Sequence, residues 1–260
     1  MDYQFLQLEQ QQQVATVWIN RAELHNAFNT TVIEGLYDCF QQLNGRDDIR
    51  VVILAGRGKS FSAGADLNWM KQAGQASQAD NEADALKLAK MLQSLATLKQ
   101  PTIARVQGIA FGGGMGLASA CDICVASTDA KFATSEVRLG LAPSTISPYV
   151  IRAIGARQAS RYFLTAERLS AEQALQIGLA HEVTTPELLD VKVDEIVQAL
   201  LLGGHWRRRG CCGIDCTELD WHLKRGNLMD ERGIDGWVLD RHWGTERWDI
   251  GIALNGDWGN

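Results

Sequence analysis

The sequence predicts an α/β protein whose largely parallel sheet is covered by helices on both faces. Four stretches have the apolar, β-branched composition of strands: VATVWIN at 14–20, VVILA at 51–55, TIARV at 102–106 and ICVAS at 123–127. Their apolar residues are nearly continuous, which is typical of strands that are buried on both faces. Helical patterns separate the stretches, and this alternation of strand and helix favours parallel pairing.

The helices are predicted from apolar positions spaced three and four residues apart between start and stop signals. Thr30 or Thr31 is expected to cap the first helix, which ends at Asn44–Gly45. A loop rich in glycine and proline is expected to run as far as Pro148. The remaining helices are expected at Ser77–Leu98, Arg157–Thr165, Ser170–Gly178 (with Ser170 as the cap) and Pro186–Leu202.

The composition is that of an ordinary globular protein of 260 residues with a net charge of −6. This acidic balance disfavours a nucleic-acid surface, which requires clustered Lys and Arg, although Arg207–Arg209 is a local exception. The N-terminal stretch MDYQFLQLEQQQQ has no basic-then-apolar signal pattern, and no apolar run approaches the ~18 residues of a membrane span. We therefore expect a cytoplasmic protein whose six cysteines are thiols.

Two loops of small residues are the first candidates for a functional site. The stretch 107–122, QGIAFGGGMGLASACD, runs from a strand through three glycines into a helical pattern, so the N–H groups at the helix start are unshielded. The stretch 62–67, SAGADL, also follows a buried strand and exposes main-chain amides. If the two loops face each other, they can form an oxyanion hole from N–H groups alone. The alternative for each loop is a tight turn or close helix packing.

Glu136 is the candidate general acid or base, because a carboxylate among small and apolar residues is expected to have a raised pKa. It could equally be an exposed residue at a helix start. His25 in a polar loop is interpreted as solvated or structural. The CxxC spacing of Cys121 and Cys124 suggests zinc or redox chemistry, but no second pair of ligands lies nearby and a structural role is favoured. The segment 72–80 is either a lid or a solvated lead-in to a helix.

The composition changes abruptly after residue 204. We therefore divide the chain into a core domain at 1–203 and an atypical C-terminal segment at 204–260. This segment is interpreted as poorly ordered or produced by a shifted reading frame, or else as a native extension. Its cysteines and His222 have an irregular spacing that makes a metal site a weak alternative. The segment contains six of the eight tryptophans and three of the cysteines: Trp206, Trp221, Trp237, Trp243, Trp248, Trp258, Cys211, Cys212 and Cys216.

The order of three segments, SAGADL, GIAFGGGMGLASACDI and FATSEVRLGL, resembles the crotonase (enoyl-CoA hydratase/isomerase) superfamily, and the resemblance extends from about Val14 to Leu202. The run from Ser135 to Val183 is most similar to bacterial methylglutaconyl-CoA and isohexenylglutaconyl-CoA hydratases. The resemblance implies that the strands and helices are wound as a spiral of ββα units. It also implies an acyl-CoA substrate and a homo-oligomer, a trimer or hexamer, if the C-terminus permits.

The resemblance assigns roles to particular residues. The backbone N–H groups of Ala65 and Gly113 would form the oxyanion hole, and Glu136 matches the second of two glutamates that hydratases of this superfamily place around the attacking water. The first glutamate would fall at position 116, where this chain has Gly116. That glycine suggests extra room for a branched substrate with a carboxylate, with Arg138 as its partner. Four residues are expected beside coenzyme A: Leu24, Ala63, Asp66 and Leu67.

The expected activity is the addition of water across the α,β double bond of an enoyl-CoA, with a branched, 3-methylglutaconyl-CoA-like substrate. A Δ3,Δ2-enoyl-CoA isomerase that uses one glutamate is the nearest alternative. A catalytically silent acyl-CoA-binding or RNA-binding homologue is the alternative from another class. No metal and no cofactor is expected beyond the coenzyme A that the substrate carries.

Overall fold

The computed structural model describes residues 3–203, which form two sheets and seven α-helices. The larger sheet has six strands in the order β1-β2-β3-β4-β6-β9. Only β1 and β2 pair antiparallel, as a hairpin, and every other neighbour in this sheet is parallel. Its strands are β1 (Leu6–Gln11), β2 (Val14–Ile19), β3 (Val51–Gly56), β4 (Thr102–Val106), β6 (Ile123–Ser127) and β9 (Glu182–Thr184).

The second, smaller sheet arises because each turn of the chain places a short extended segment beside the first sheet before a helix begins. Its strands are β5 (Ile109–Phe111), β7 (Lys131–Ala133) and β8 (Leu169–Ser170), in the order β5-β7-β8. Single-residue parallel bridges, Phe28 with Ala65 and Ser62 with Ala110, extend the same layer through the earlier turns. The architecture is therefore the predicted spiral of ββα units.

The helices follow the strands as predicted, except that the short helix at Leu67–Ala73 was not predicted and that two helix starts need correction. The side chain of Asn29, and not that of Thr30 or Thr31, caps the first helix by accepting a hydrogen bond from the N–H of Val32. The fifth helix begins at Ser147 and not at the predicted Arg157, just before the predicted end of the loop at Pro148, and it continues through a kink at Gly155. The helices are α1 (Thr30–Asn44), α2 (Leu67–Ala73), α3 (Gln78–Ala96), α4 (Gly113–Ala120), α5 (Ser147–Thr165), α6 (Ala171–Gln176) and α7 (Leu189–Leu202).

Apolar side chains pack against both faces of the large sheet, as the continuous apolar strands predict. Successive residues of β3 point to opposite faces: Val52 and Leu54 join the main core beneath α1, α3, α4 and α5. Val51 and Ile53 join a second cluster with Ile103, Val125 and three residues of α7. The helix α7 therefore covers the face opposite to the main core.

Several sequence-based predictions fall outside the described residues. The atypical segment at 204–260, with its cysteines, its tryptophans, His222 and Arg207–Arg209, lies beyond residue 203. Within residues 3–203, no helix is both long and apolar enough to cross a membrane. Among the same residues, no three His, Cys, Asp or Glu side chains lie close enough together to hold a metal ion.

Candidate active site

The first loop, Ser62–Leu67, is held by backbone hydrogen bonds in which the amide of Ala65 takes no part within residues 3–203. Phe28 donates its N–H to the carbonyl of Gly64 at 2.7 Å and accepts the N–H of Asp66 at 2.8 Å. In such a parallel bridge the intervening residue, Ala65, directs its own N–H to the opposite side. Within residues 3–203 the Ala65 N–H donates no hydrogen bond.

The second loop contributes an amide at a helix start. Gly112 precedes α4 with φ 50°, and its N–H donates to the carbonyl of Ala133 at 2.8 Å. Gly113 is the first residue of α4, so its N–H has no acceptor within the helix. No hydrogen bond from this amide is found elsewhere in the described part of the chain.

The two loops touch through their backbones. Gly64 has φ +82°, and a Cβ added to it would lie 2.5 Å from the carbonyl oxygen of Phe111 and 3.2 Å from the nitrogen of Gly113. Only glycine permits both this conformation and this approach. The Ala65 and Gly113 amides therefore lie on adjacent loops, as the pair of glycine-bearing segments predicts.

A buried polar network, which the sequence analysis missed, supports the first loop. Asn26 is fully buried, donates to the carbonyls of Arg57 and Ser60, and accepts the N–H of Arg21. The hydroxyl of Ser62 donates to the carbonyl of Asn26 at 2.8 Å and accepts the N–H of Gly64 at 3.2 Å. The sequence indicated only a polar loop around 21–27. It could not indicate the hydrogen bonds of Asn26 to Arg57, Ser60 and Ser62, because these residues lie more than thirty positions further along the chain.

The carboxylate of Asp66 has a structural role within the loop. Its carboxylate caps α2 by accepting the N–H groups of Asn68 and Trp69 and pairs with Arg21 at 2.7 Å; the side chains of Arg21 and Asp66 are 11% and 8% exposed. Burial alone would raise the pKa of Asp66, but these hydrogen bonds and the guanidinium together lower it. Because so little of the carboxylate is exposed, a contact of Asp66 with coenzyme A would come mainly through its backbone.

The other residues expected beside coenzyme A lie around this loop. The N–H of Ala63 donates to the carbonyl of His25 at 2.9 Å, which joins the 62–67 loop to the loop that contains Leu24. Leu24 and Leu67 are 44% and 67% exposed. The ring of His25 is hydrogen-bonded to Ser60 at 3.0 Å, in agreement with a structural role.

Glu136 opens a short 3-10 turn, Glu136–Leu139, and its carboxyl group lies beside the second loop. A Cβ added to Gly112 would lie 3.2 Å from Oε1 of Glu136. The other oxygen, Oε2, is buried without a hydrogen-bond partner in the described residues. Desolvation by burial raises the pKa of this carboxyl group. The group is partly buried and is poised to exchange a proton nearer to neutral pH than an exposed glutamate.

The structure corrects the extra room expected at Gly116. This glycine is buried in α4, and a Cβ added to it would lie 2.3 Å from Cγ2 of Ile146. The side chain of Ile146 therefore fills the space beside position 116. Arg138, the proposed partner of a substrate carboxylate, donates from Nη2 to the carbonyl of Ala166 at 2.9 Å.

The CxxC pair belongs to the core. Cys121 and Cys124 are both buried, and burial raises the pKa of the Cys124 thiol to about 12. The N–H of Cys124 donates to Nδ1 of His181 at 3.1 Å, and its carbonyl accepts the N–H of His181. These features agree with the structural interpretation of the two cysteines.

The arrangement has the parts that an enolate requires. Two N–H groups on adjacent loops that donate no hydrogen bond within residues 3–203 can stabilise negative charge on a carbonyl oxygen. One carboxyl group with a raised pKa can move a proton nearby. A fold of ββα units with such a site defines the class of enzymes that act on acyl thioesters through an enolate.

Comparison with known proteins places the chain within that class. Residues 9–206 match the family described as Enoyl-CoA hydratase/isomerase, and the chain belongs to this family. A short-chain-enoyl-CoA hydratase of Clostridium acetobutylicum is 34% identical over 75% of this chain and 74% of its own. A trans-2-decenoyl-[acyl-carrier-protein] isomerase of Streptococcus mutans is 30% identical over 78% of each chain. An enoyl-CoA hydratase from Shewanella pealeana, known from its crystal structure, has 36% sequence identity with this chain. The two structures superpose with a TM-score of 0.78, and the match covers 86% of this chain and 88% of the other.

Proposed function

We propose that this protein is an enoyl-CoA hydratase, a hydro-lyase that adds water across the α,β double bond of an acyl-CoA thioester. The observation that carries the proposal is the pair of unused amides of Ala65 and Gly113 on touching loops, with Glu136 beside them. Family membership and the hydratases among its relatives support the same activity.

In the proposed reaction, Glu136 accepts a proton from water while the hydroxide forms a bond to Cβ. The electrons of the double bond move onto the thioester carbonyl, and the resulting enolate accepts hydrogen bonds from the N–H groups of Ala65 and Gly113. Glu136 then returns its proton to Cα, which regenerates the carboxylate and leaves one water added. Loss of one such amide donor would raise the barrier by about 3–4 kcal/mol.

The substrate would supply the coenzyme A, and no further cofactor is needed for these steps. We place the coenzyme A beside Leu24, Ala63, Asp66 and Leu67, where two loops are joined by the hydrogen bond from Ala63 to His25. For the acyl group we propose a branched, 3-methylglutaconyl-CoA-like chain, on the sequence resemblance of the run from Ser135 to Val183. A homo-oligomer, a trimer or hexamer, and a cytoplasmic location complete the proposal.

One observation favours a second candidate, a Δ3,Δ2-enoyl-CoA isomerase. Glu136 lies beside the amides, while Ile146 fills the space at Gly116 where a second carboxylate would stand. A single carboxyl group suffices to remove a proton at one carbon and return it at another. The isomerase named among the relatives is consistent with such chemistry in the family.

The proposal is tested by following the absorbance of the conjugated thioester. Crotonyl-CoA and 3-methylglutaconyl-CoA should lose this absorbance with the wild-type protein, and Glu136→Gln should lower kcat by at least ~100-fold, because general acid–base catalysis contributes about that much or more. Glu172→Gln, at an exposed glutamate of α6, is the matched control. A gain of absorbance with 3-hexenoyl-CoA and no loss with the other substrates would favour the isomerase. Turnover unaffected by Glu136→Gln would refute the proposed role of this residue.

A further inference from the structure

Gly112 and Gly116 bring the start of α4 into contact with two residues that follow β7. Gly112 immediately precedes α4, and its carbonyl accepts the N–H of Gly116 at 3.0 Å, so the two glycines are one helical turn apart. A Cβ on Gly112 would meet the carboxyl group of Glu136, and a Cβ on Gly116 would meet the side chain of Ile146. Glu136 and Ile146 therefore pack against two backbone positions at the start of α4, Gly112 and Gly116.

The contact at Gly116 leaves no space for a side chain. Besides the 2.3 Å separation from Cγ2, an added Cβ would lie 2.9 Å from Cβ of Ile146. Both atoms belong to the stiff, branched part of the isoleucine, which cannot rotate away as the end of a long chain can. Ile146 is 1% exposed, so its side chain has no route into solvent.

The backbone also holds Ile146 in place. Its N–H donates to the carbonyl of Pro143 at 3.3 Å, and its carbonyl accepts the N–H groups of Tyr149 and Val150 at 3.1 Å each. Ile146 immediately precedes α5, where these bonds form the first turn. Moving the side chain away from Gly116 would therefore disturb the start of a 19-residue helix.

We infer that Ile146 is a specificity-determining residue, which packs into the notch at Gly116 and keeps both water and a second carboxylate out of that space. The inference rests on the proposed function. By resemblance to the hydratases, a second glutamate would stand at position 116, and the space beside that position is occupied by a hydrocarbon side chain, which offers no hydrogen bond to water. Hydration is consequently slower than it would be with two carboxylates, whereas the proton transfer of isomerisation is not penalised.

The test is a double substitution that reverses the packing. Gly116→Glu alone should lower Tm by about 5 °C or more, because overpacking a core is destabilising. Combined with Ile146→Ala, which opens the space, it should lower Tm by less than the sum of the two single effects. The Gly116→Glu/Ile146→Ala protein should also hydrate crotonyl-CoA at least ~10-fold faster than the matched Gly116→Gln/Ile146→Ala protein, which has no second carboxylate. The rate of isomerisation of 3-hexenoyl-CoA should differ less between these two double variants.

The outcomes separate this inference from the proposed function. Additive Tm shifts, or a Gly116→Glu protein as stable as the wild type, would overturn the role of Ile146. Equal hydration rates for the Glu and Gln double variants would overturn it as well. Non-additive Tm shifts together with faster hydration by the Glu variant would support it. A folded wild-type protein that converts neither crotonyl-CoA, 3-methylglutaconyl-CoA nor 3-hexenoyl-CoA would instead refute the proposed function.

Discussion

At the scale of single residues, Glu136 has the environment least favourable to a negative charge among the carboxylates described. One of its oxygens is buried without a hydrogen bond in residues 3–203, and burial raises its pKa. In the pH range between its ordinary pKa and the raised one, the folded protein binds more protons at this site than the unfolded chain. Stability must therefore fall as the pH rises through that range. The charge is retained at a cost in stability, as is common at catalytic sites.

Glu136→Gln should consequently stabilise the protein at pH 7, because the glutamine carries no charge that burial penalises. The gain in Tm over the wild type should shrink as the pH is lowered towards the ordinary glutamate pKa of 4.5, where the wild-type group is neutral. Thermal unfolding of both proteins between pH 4 and pH 8 measures this difference, with Glu172→Gln as the exposed control. A Tm difference that does not depend on pH would contradict the assignment.

At the scale of elements, the site is built where helices begin. Asn29 precedes α1, Asp66 precedes α2, Gly112 precedes α4 and Ser135 precedes the 3-10 turn of Glu136. Each turn of the spiral passes through the second layer and then starts a helix or helical turn. Helix N-terminal amides are therefore gathered in one region, where they favour a developing negative charge.

The cap of α1 offers a direct test of this arrangement. Asn29→Ala should cost about 1 kcal/mol of stability, because it removes the oxygen that accepts the N–H of Val32. Thr31→Ala, at the exposed threonine that the sequence offered as an alternative cap, should change stability by less than about 0.5 kcal/mol. Urea unfolding of the three proteins measures both effects. An equal loss from the two substitutions would show that Asn29 is not the cap.

At the scale of the whole molecule, stability depends on covering both faces of the large sheet. The main core lies on one side and α7 closes the other. Arg50 further secures the end of α7 by donating to the carbonyls of Leu200 and Leu201. The strands that lead into the two site loops, β3 and β4, are thus buried on both sides and provide a rigid base for those loops.

Substitutions at adjacent positions of β3 test this double cover. Ile53→Ala and Leu54→Ala should each cost about 2–5 kcal/mol, because Ile53 packs with the α7 cluster and Leu54 with the main core. Leu8→Ala, on the edge strand β1 and 37% exposed, should cost less than about 1 kcal/mol. Denaturant unfolding gives all three values. A cost for Ile53→Ala no larger than that for Leu8→Ala would show that α7 does not cover the sheet.

Much of the fold could be predicted from local patterns. The bounds of β4 and β6 agree with their apolar runs, and Ser170 caps α6 as predicted, in a capping box with Gln173. These features depend on neighbours within a few residues, so periodicity and start signals suffice to find them. The small residues of the two loops also indicated exposed amides, and the apolar surroundings of Glu136 indicated a raised pKa, because both properties follow from residue type.

Other features depend on residues that are distant in the chain. Ile146 fills the space at Gly116 from thirty positions away, and Arg21 pairs with Asp66 across forty-five. A glycine in a sequence shows only that this position has no side chain. Whether the resulting space is open or filled depends on which distant segment packs there. The chain alone therefore sufficed for the strands, the loops, the candidate carboxylate and the missing glutamate at position 116. Only the packing of α4 against the start of α5 decided that the space beside Gly116 is filled.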